Sequence, residues 1–188
     1  MDTTRLGLLD TVPALTRPDL LAAPVAQALA ALDGSLPADD VRVAEIDAAA
    51  ADTAEFCQRY EVPLSESANC VVISGRRGGD LRYAACVLLA TTRADVNGVV
   101  RREINVRKAS FAPMDDAVER TGMEYGGITP VGLPADWLLL VDSRVLETPR
   151  VVIGSGVRHS KLILPGAALA RLPGAQPKEG LGRAPASP

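Results

Sequence analysis

Apolar residues in the first third of the chain recur at two different spacings, and each spacing predicts a different element. Residues 25–32 place apolar side chains at the i, i+3, i+4 and i+7 positions of an amphipathic helix, and Gly34 is a plausible end for it. Residues 41–46 alternate apolar and polar side chains, as in a half-buried strand. Residues 52–60 predict a second helix, because their first Asp and Glu have the spacing of a capping box.

The centre of the chain predicts an antiparallel hairpin. Two β-rich segments, 70–74 and 83–90, flank a polar and glycine-rich loop. The elements predicted beyond it are a short helix at 95–100, a strand at 105–109, a helix at 113–121, strands at 137–142, 151–153 and 161–164, and a short helix at 166–172. Because helices and strands alternate irregularly, we expect a mixed α/β (α+β) domain with a largely antiparallel central sheet and surrounding helices.

The pattern divides the chain into three regions. Residues 1–40 form a predicted helical extension, and residues 41–172 hold the predicted strands and most of the helices. Residues 173–188 are rich in Gly, Pro, Ala and Lys, which predicts a disordered tail. A length of 188 residues fits one domain with a sizeable core.

Charge and cysteine content exclude several classes of protein. A net charge of −3 and a pI near 5.2 argue against a protein that coats duplex DNA, although a local basic patch could still bind one end of an RNA. We find no signal peptide and no apolar run of membrane-spanning length. Cys57, Cys70 and Cys86 form no CxxC pair, so we expect three reduced core thiols in a cytoplasmic protein.

The single histidine, His159, excludes much metal and triad chemistry. A zinc-protease motif needs two histidines, and a structural zinc site needs Cys or His neighbours that the sequence lacks. A Ser-His-Asp triad would have to use His159, but the chain has no GxSxG nucleophile elbow. The chain also has no GxGxxG after a strand and no Walker A lysine, which excludes the common nucleotide-binding loops.

The segment Gly122–Pro134, called the glycine loop below, is the strongest candidate for a site. It has four glycines and two prolines. Glycine lets a main chain approach a ligand closely, and proline stiffens such a loop. With few ionisable side chains, the loop would bind a ligand through main-chain N–H groups. The alternative is a tight connection between a helix and a strand.

Two later segments could join the glycine loop in a site. The predicted strand 138–142 ends in a carboxylate, Asp142, which could be a site residue or a cap for the following turn. The segment 152–159 is a strand that runs into a turn of small residues. Its Arg158 could bind a phosphate or only lie on the surface of a hairpin.

Four ordered motifs carry a resemblance to a known family: T-G-x-x-x-G-G-I-T-P-x-G, then L-L-V-D, then V-x-I-G-S-G-x-R, and a final L-I-L-P. With this set, the chain resembles the YbaK/ProX (YbaK/EbsC) family of aminoacyl-tRNA editing domains over about residues 40–172. The resemblance implies that family's fold. It also implies deacylation of tRNA(Pro) and related tRNAs that carry a wrong amino acid such as Cys or Ala. Family members act in trans or as the insertion domain of some prolyl-tRNA synthetases.

The resemblance implies a site without a metal or an organic cofactor. Main-chain N–H groups of the glycine loop would hold the ester carbonyl as negative charge develops. A ribose hydroxyl of the terminal adenosine, or a substrate thiol, would assist attack, and pocket size would decide which amino acid is removed. The residues implied in catalysis are Gly126, Gly127, Asn69 and Asp142. Those implied in substrate binding are Ala68, Thr129, Pro130, Gly132, Gly154, Ser155, Gly156 and Arg158.

The chain departs from the family pattern at a lysine. Family members commonly carry it at the start of the central strand, where it is thought to orient the substrate. That position is Ala68 or Asn69 here, and neither side chain is charged. Asn69 could hydrogen-bond a carbonyl or a ribose hydroxyl, and Arg107 or Lys108 could supply a cation from another strand. In a second departure, Gly-Ser-Gly at residues 154–156 stands where relatives often carry Ser-Ala-Gly.

Two functions therefore remain open. The first is a trans-editing hydrolase, whose partner is the acceptor end of an aminoacyl-tRNA. The second is a non-catalytic module of the same fold that binds an aminoacyl-adenosine-like ligand, a tRNA or a protein, which the missing lysine favours. Residues 1–40 could dock a synthetase or a second copy, so we expect a monomer or a homodimer and no DNA or membrane partner. Basic residues that could guide tRNA, or form a solvated surface, are Arg76, Arg77, Arg101, Arg102, Arg107, Lys108, Arg158 and Lys161.

Overall fold

The residues that the structure describes, 5–32 and 40–185, form the mixed α/β arrangement that the sequence predicts. In this computed structural model the strands are β1 (Val12–Pro13), β2 (Arg42–Glu45), β3 (Ala68–Arg77), β4 (Asp80–Leu89), β5 (Arg93–Ala94), β6 (Ala109–Phe111), β7 (Leu138–Asp142), β8 (Val151–Gly154), β9 (Ser160–Leu164), β10 (Ala175–Lys178) and β11 (Gly182–Arg183). The α-helices are α1 (Ala23–Ala31), α2 (Thr53–Tyr60), α3 (Arg101–Glu103), α4 (Met114–Thr121) and α5 (Ser143–Leu146). A π-helical turn, Val96–Val100, precedes α3, and 3-10 turns lie at Ala14–Thr16, Pro18–Leu20, Ala48–Ala50, Leu64–Glu66 and Gly166–Arg171.

Most of the strands belong to two sheets. One sheet has five strands in the order β10-β7-β4-β3-β6; β3 is antiparallel to β4 and β6, whereas β7 and β10 are added in parallel. The other sheet has four antiparallel strands in the order β1-β2-β9-β8. The remaining strands, β5 and β11, form a small antiparallel pair. The predicted hairpin is thus confirmed as β3 and β4, and the sheets are mixed, as expected.

The two sheets pack against each other through the main apolar core. This core joins Val72 and Leu139 of the five-stranded sheet to Ile153 and Leu162 of the four-stranded sheet. A second cluster lies between the four-stranded sheet and α2, where Phe56 is fully buried. Because successive side chains of a strand point to opposite faces, β9 contributes to both clusters and is buried along its whole length.

The helix ends agree with the sequence in one case and differ in another. Helix α4 ends at Gly122, whose φ of 64° is the left-handed conformation that glycine adopts easily. The predicted capping box of α2 is wrong, because the side chain of Asp52 makes no capping hydrogen bond. Helix α1 ends at Ala31, and the predicted stop at Gly34 lies outside the described residues. None of the described helices is long and apolar enough to span a membrane.

The prediction of a disordered tail is wrong for residues 173–185. Strand β10 pairs in parallel with β7, and β11 pairs with β5. Strands pair through main-chain groups, and proline lacks only the N–H donor, so a polar segment that contains Pro177 can extend the sheet at the edge of β7. Leu181 adds a fully buried side chain to the core. Residues 186–188 lie outside the described part of the chain.

The strand predicted at 105–109 is displaced toward the C-terminus, where it forms β6. Asn105 has a φ of 56°, in the left-handed region that interrupts extended structure. Residues 106–108 have no regular secondary structure, so Arg107 and Lys108 lie before the strand and not within it.

A candidate active site between the glycine loop and strand β3

A cavity of about 520 Å³ lies where the glycine loop, the start of β3 and the end of β8 meet. The start of α2 and the segment from β6 to α4 complete its wall. Most of the lining is apolar or small, and three large side chains at its edge are exposed: Phe111, Met114 and Tyr125. A cavity of this volume fits a small organic group and is too small for a nucleic-acid duplex.

Main-chain hydrogen bonds fix the glycine loop against the turn between β8 and β9. The Glu124 N–H donates to Gly156 O at 2.8 Å, and the Gly156 N–H donates to Gly127 O at 2.8 Å. A Cβ atom on Gly127 would lie 2.7 Å from the backbone of Val157, so only glycine allows this approach. The loop is therefore both a helix-to-strand connection and one wall of the cavity.

The two glycines predicted to bind a carbonyl differ in what their N–H groups do. The Gly127 N–H donates to Glu124 O at 2.9 Å, and Gly127 is not part of the cavity lining. Gly126 lines the cavity at a φ of 79°, and its N–H has no acceptor among the residues that the structure describes. Of the two groups, the Gly126 N–H is the one available to a bound ligand.

Arg158 holds the glycine loop to the segment before α2. Its guanidinium donates to Tyr125 O at 3.0 Å and to Ala48 O at 3.3 Å, and its main-chain N–H donates to the Glu124 carboxylate at 2.6 Å. The guanidinium passes over Gly126, where a Cβ atom would lie 2.4 Å from Nη1. These contacts position the loop and use two of the guanidinium donors on protein carbonyls.

Asn69 and Ala68 lie at the start of β3, on the cavity wall. The Thr53 hydroxyl donates to the Asn69 Oδ1 at 2.6 Å, which fixes the amide and leaves its NH₂ as the donating end. The Asn69 side chain is half-buried. Its NH₂ has no acceptor among the described residues, so it is available to an oxygen of a ligand in the cavity.

Asp142 lies outside the cavity, at the end of β7, and acts as the cap that was one of its two predicted roles. Its carboxylate accepts from the Arg144 N–H at 3.0 Å, from the Arg144 guanidinium at 2.9 Å and from the Gly182 N–H at 2.7 Å. Burial alone would raise the pKa of Asp142, but these hydrogen bonds outweigh it and lower the pKa below its usual value.

Several residues of the predicted substrate set support the N-terminal segment and not the cavity. A Cβ atom on Gly132 would lie 2.5 Å from Pro24 O, and one on Gly156 would lie 2.4 Å from the Ala22 side chain. The Ser155 hydroxyl contacts the Ser160 hydroxyl at 2.7 Å, inside the protein. Thr129 and Pro130 are buried and also lie outside the cavity lining. Gly154, another residue of the predicted substrate set, does line the cavity.

Four of the basic residues predicted to bind tRNA lie outside the cavity lining: Arg101, Arg102, Arg107 and Lys108. Arg102, Arg107 and Lys108 are exposed, and the Arg101 guanidinium donates to Asn97 O at 2.9 Å. Arg107 and Lys108 precede β6, whose last residue, Phe111, is at the cavity edge. They can thus contact a ligand that extends out of the cavity, but they supply no charge inside it.

Cys70 is the thiol on the cavity wall, and its surroundings suppress its reactivity. Burial, and then the nearby Cys86, raise the pKa of the Cys70 thiol well above its usual value. Burial also raises the pKa of Cys86, to about 12, so both stay protonated at neutral pH. All three cysteines are free thiols. No group of three or more His, Cys, Asp or Glu side chains in the described ranges is placed to hold a metal ion.

Lys161, which the sequence placed only among cations that could guide tRNA, lines the cavity, and sequence reasoning missed this position. Its side chain is only 7% exposed and lines the cavity, with Nζ 2.9 Å from Ala51 O and 5.3 Å from the centre of the Phe56 ring. Burial, and then the charge of Arg158, lower the pKa of Lys161 to about 8. The available signal was its position in the apolar run 160–164, because a lysine inside such a strand is unusual.

Comparison with known proteins supports this fold and identifies the family of the chain. The sequence profile of the aminoacyl-tRNA editing domain matches residues 47–172. A crystal structure described as that of a proposed trans-editing enzyme for prolyl-tRNA synthetase superposes with a TM-score of 0.68 at 21% identity, over 85% of this chain and 97% of that one. A hypothetical protein superposes with a TM-score of 0.66 at 23% identity, over 76% of this chain and 91% of that one. The profile match covers most of the chain, and the chain therefore belongs to the family of aminoacyl-tRNA editing domains.

Proposed function

We propose that this protein is a trans-editing hydrolase that removes a wrong amino acid, such as Cys or Ala, from tRNA(Pro) or a similar tRNA. The observation that carries the proposal is the set of unused donors on the cavity wall. Gly126 and Asn69 line the same cavity, and neither the Gly126 N–H nor the Asn69 NH₂ has an acceptor among the described residues. Such donors suit an oxygen that gains negative charge during reaction.

The chemistry needs little assistance because an aminoacyl ester is already activated. The Gly126 N–H would bind the ester carbonyl oxygen, and Asn69 would bind that oxygen or a ribose hydroxyl of the terminal adenosine. A water molecule attacks the carbonyl carbon, with help from the neighbouring ribose hydroxyl or from a substrate thiol. The donors in this mechanism are fixed before the substrate arrives, by the loop hydrogen bonds and by Thr53.

The size of the cavity supports the proposal that amino acids too large to enter it are not removed from their tRNA. Ala68, Ala112 and Ala117 line the cavity, so its volume depends on small side chains that would be easy to enlarge. A volume of about 520 Å³ can hold an aminoacyl group and the terminal ribose while the rest of the tRNA stays outside. Arg101, Arg102, Arg107 and Lys108 would then bind phosphates of the acceptor end, which makes affinity salt-dependent. A prolyl-tRNA synthetase is a further proposed partner, and the cytoplasm the proposed location.

The test is deacylation of a panel of mischarged tRNAs, beginning with Cys-tRNA(Pro) and Ala-tRNA(Pro), by the purified protein at low salt. Release of one amino acid well above the spontaneous rate is expected. Asn69→Ala should slow that release about ten- to hundredfold, because it removes a hydrogen bond to a charged oxygen. Asn97→Ala is the matched control, since Asn97 is exposed and lies outside the cavity lining.

The competing function, a binding module without turnover, predicts a different result. In that case no member of the panel releases its amino acid, but a non-hydrolysable aminoacyl-adenosine amide still binds and Asn69→Ala weakens it. Absence of both release and binding would remove the cavity from consideration as an aminoacyl site.

A further inference from the structure

Lys161 combines deep burial with a position on the same face of the sheet as the glycine loop. In the β8–β9 ladder Lys161 is opposite Gly154, and cross-strand partners point to the same face. A Cβ atom on Gly154 would lie 2.3 Å from Gly127 O, so the loop covers that face of β8. Lys161 thus projects from the same face of the sheet that the glycine loop covers at Gly154, and both the lysine and the loop line the cavity.

The ammonium group of Lys161 is only partly compensated by the protein. It donates one hydrogen bond, to Ala51 O, and contacts the Phe56 ring, whereas an ammonium has three donors. No ion pair joins it to a carboxylate anywhere in the described ranges. Burying a charge without a partner is costly, and Met would fill the same space without that cost. The charge therefore needs an explanation other than packing.

Other cations near the cavity do not offer the same contact. The Arg158 guanidinium is bonded to two protein carbonyls, and Arg107 and Lys108 lie outside the lining. Asp52 is on the cavity wall and its charge acts on Lys161, but it is exposed and beyond ion-pairing distance. Among the described lining residues, Lys161 is thus the cation that can reach a bound group.

We propose that Lys161 is a catalytic residue, whose protonated ammonium donates a hydrogen bond to the carbonyl oxygen of the scissile aminoacyl ester. This inference rests on the proposed deacylase function. Water adds to the carbonyl carbon, and the former carbonyl oxygen becomes an oxyanion that Lys161 and the Gly126 N–H stabilise. The carbon–oxygen bond to the ribose then breaks, and the proton lost by water passes to the ribose oxygen. Lys161 keeps its proton throughout, so the products are the free amino acid and the tRNA hydroxyl.

The first experiment compares wild type, Lys161→Met and the control Arg150→Met in deacylation of the best substrate of the panel. Lys161→Met should lower kcat by about 100-fold with a smaller change in KM, because the hydrogen bond strengthens as charge develops. Arg150→Met should leave kcat unchanged, since Arg150 is exposed, does not line the cavity and is not among the residues proposed to bind tRNA. A kcat for Lys161→Met within threefold of wild type would overturn the inference, provided that circular dichroism shows both variants folded.

The pH profile separates a donor from a general base. With the pKa of Lys161 lowered to about 8, wild-type kcat should fall as pH rises through that value once spontaneous hydrolysis is subtracted. Lys161→Met should lack this fall. A wild-type rate that rises through the same pH range would assign Lys161 the role of a base and would overturn the proposal.

A binding measurement distinguishes failure of this inference from failure of the proposed function. The probe is a non-hydrolysable aminoacyl-adenosine amide, titrated against wild type and Lys161→Met by calorimetry. The expected result is an affinity loss of about tenfold or more for the variant. If wild type binds the probe but deacylates no tRNA, the proposed function fails. Equal affinity of the two proteins would instead refute the contact between Lys161 and the carbonyl.

Discussion

The surroundings of Asp142 and Lys161 show two opposite ways in which this protein buries a charge. Asp142 is the last residue of β7 and Lys161 the second residue of β9, and both are almost inaccessible, at 1% and 7% exposure. The Asp142 carboxylate accepts four described hydrogen bonds from Arg144 and Gly182. The Lys161 ammonium donates one. Similar burial therefore accompanies very different compensation.

Asp95 shows that the Asp142 pattern is the structural one. It is also buried, and its carboxylate accepts from the N–H groups of Gly98 and Val99 and from the Arg183 guanidinium. Both aspartates cap a turn and tie the C-terminal segment to an earlier part of the chain. Lys161 does neither, and its unused donors are next to a cavity. The comparison teaches that the number of protein partners, and not burial, separates a structural charge from a candidate functional one.

The largest effect is expected when Asp142 loses its carboxylate. Asp142→Ala leaves the Gly182 N–H without an acceptor and the Arg144 guanidinium with only Gly182 O, so the free energy of unfolding should fall by about 3 kcal/mol. Urea unfolding measures this. Asp136→Ala is the control, because Asp136 is exposed and should change stability by less than about 0.5 kcal/mol. If Asp142→Ala lowers the free energy of unfolding by less than about 1 kcal/mol, Asp142 is not a structural charge in the sense of this comparison.

Local sequence signals predicted the elements of this fold well. The β3–β4 hairpin, the end of α4 at Gly122 and the strands β7, β8 and β9 follow from apolar periodicity and turn residues within short windows. The Asp142 cap could be named as an alternative because its partner Arg144 is two residues away. Each of these features depends on neighbours that the sequence itself places together.

Features that depend on distant residues could not be predicted in the same way. The Gly182 N–H reaches Asp142 from 40 positions along the chain, and β10 forms only because the edge of β7 is open to it. Lys161 was grouped with surface cations, since its burial depends on Phe56 and on Ala51, which is 110 positions away. Gly126 lines the cavity whereas Gly127 packs against the backbone of Val157, 30 positions away, so the sequence could not tell the roles of the two glycines apart.

The second prediction is a gain in stability, where the first is a loss. Lys161→Met should raise the free energy of unfolding at pH 7 by about 2 kcal/mol, because a partly compensated buried charge is replaced by an apolar chain of similar shape. Urea unfolding again measures it, with Lys108→Met expected within about 0.5 kcal/mol of wild type. If Lys161→Met proves less stable than wild type, Lys161 is a structural residue like Asp142 and the comparison fails.

The smallest effect is a pH dependence that belongs to Lys161 alone. Its pKa is about 8 in the folded protein and 10.5 in the reference state, so between these values the unfolded chain binds more protons. Stability conferred by Lys161 must then increase as pH rises from 8 toward 10.5, as the cost of burying the charge is removed. The stability advantage of Lys161→Met over wild type should therefore shrink, by about 1 kcal/mol between pH 7.5 and pH 9. Taking the difference between the two proteins cancels the ionisation of the cysteines, which both share. An advantage that stays constant over this range would mean that Lys161 titrates normally, and that its ammonium is better compensated than its single hydrogen bond indicates.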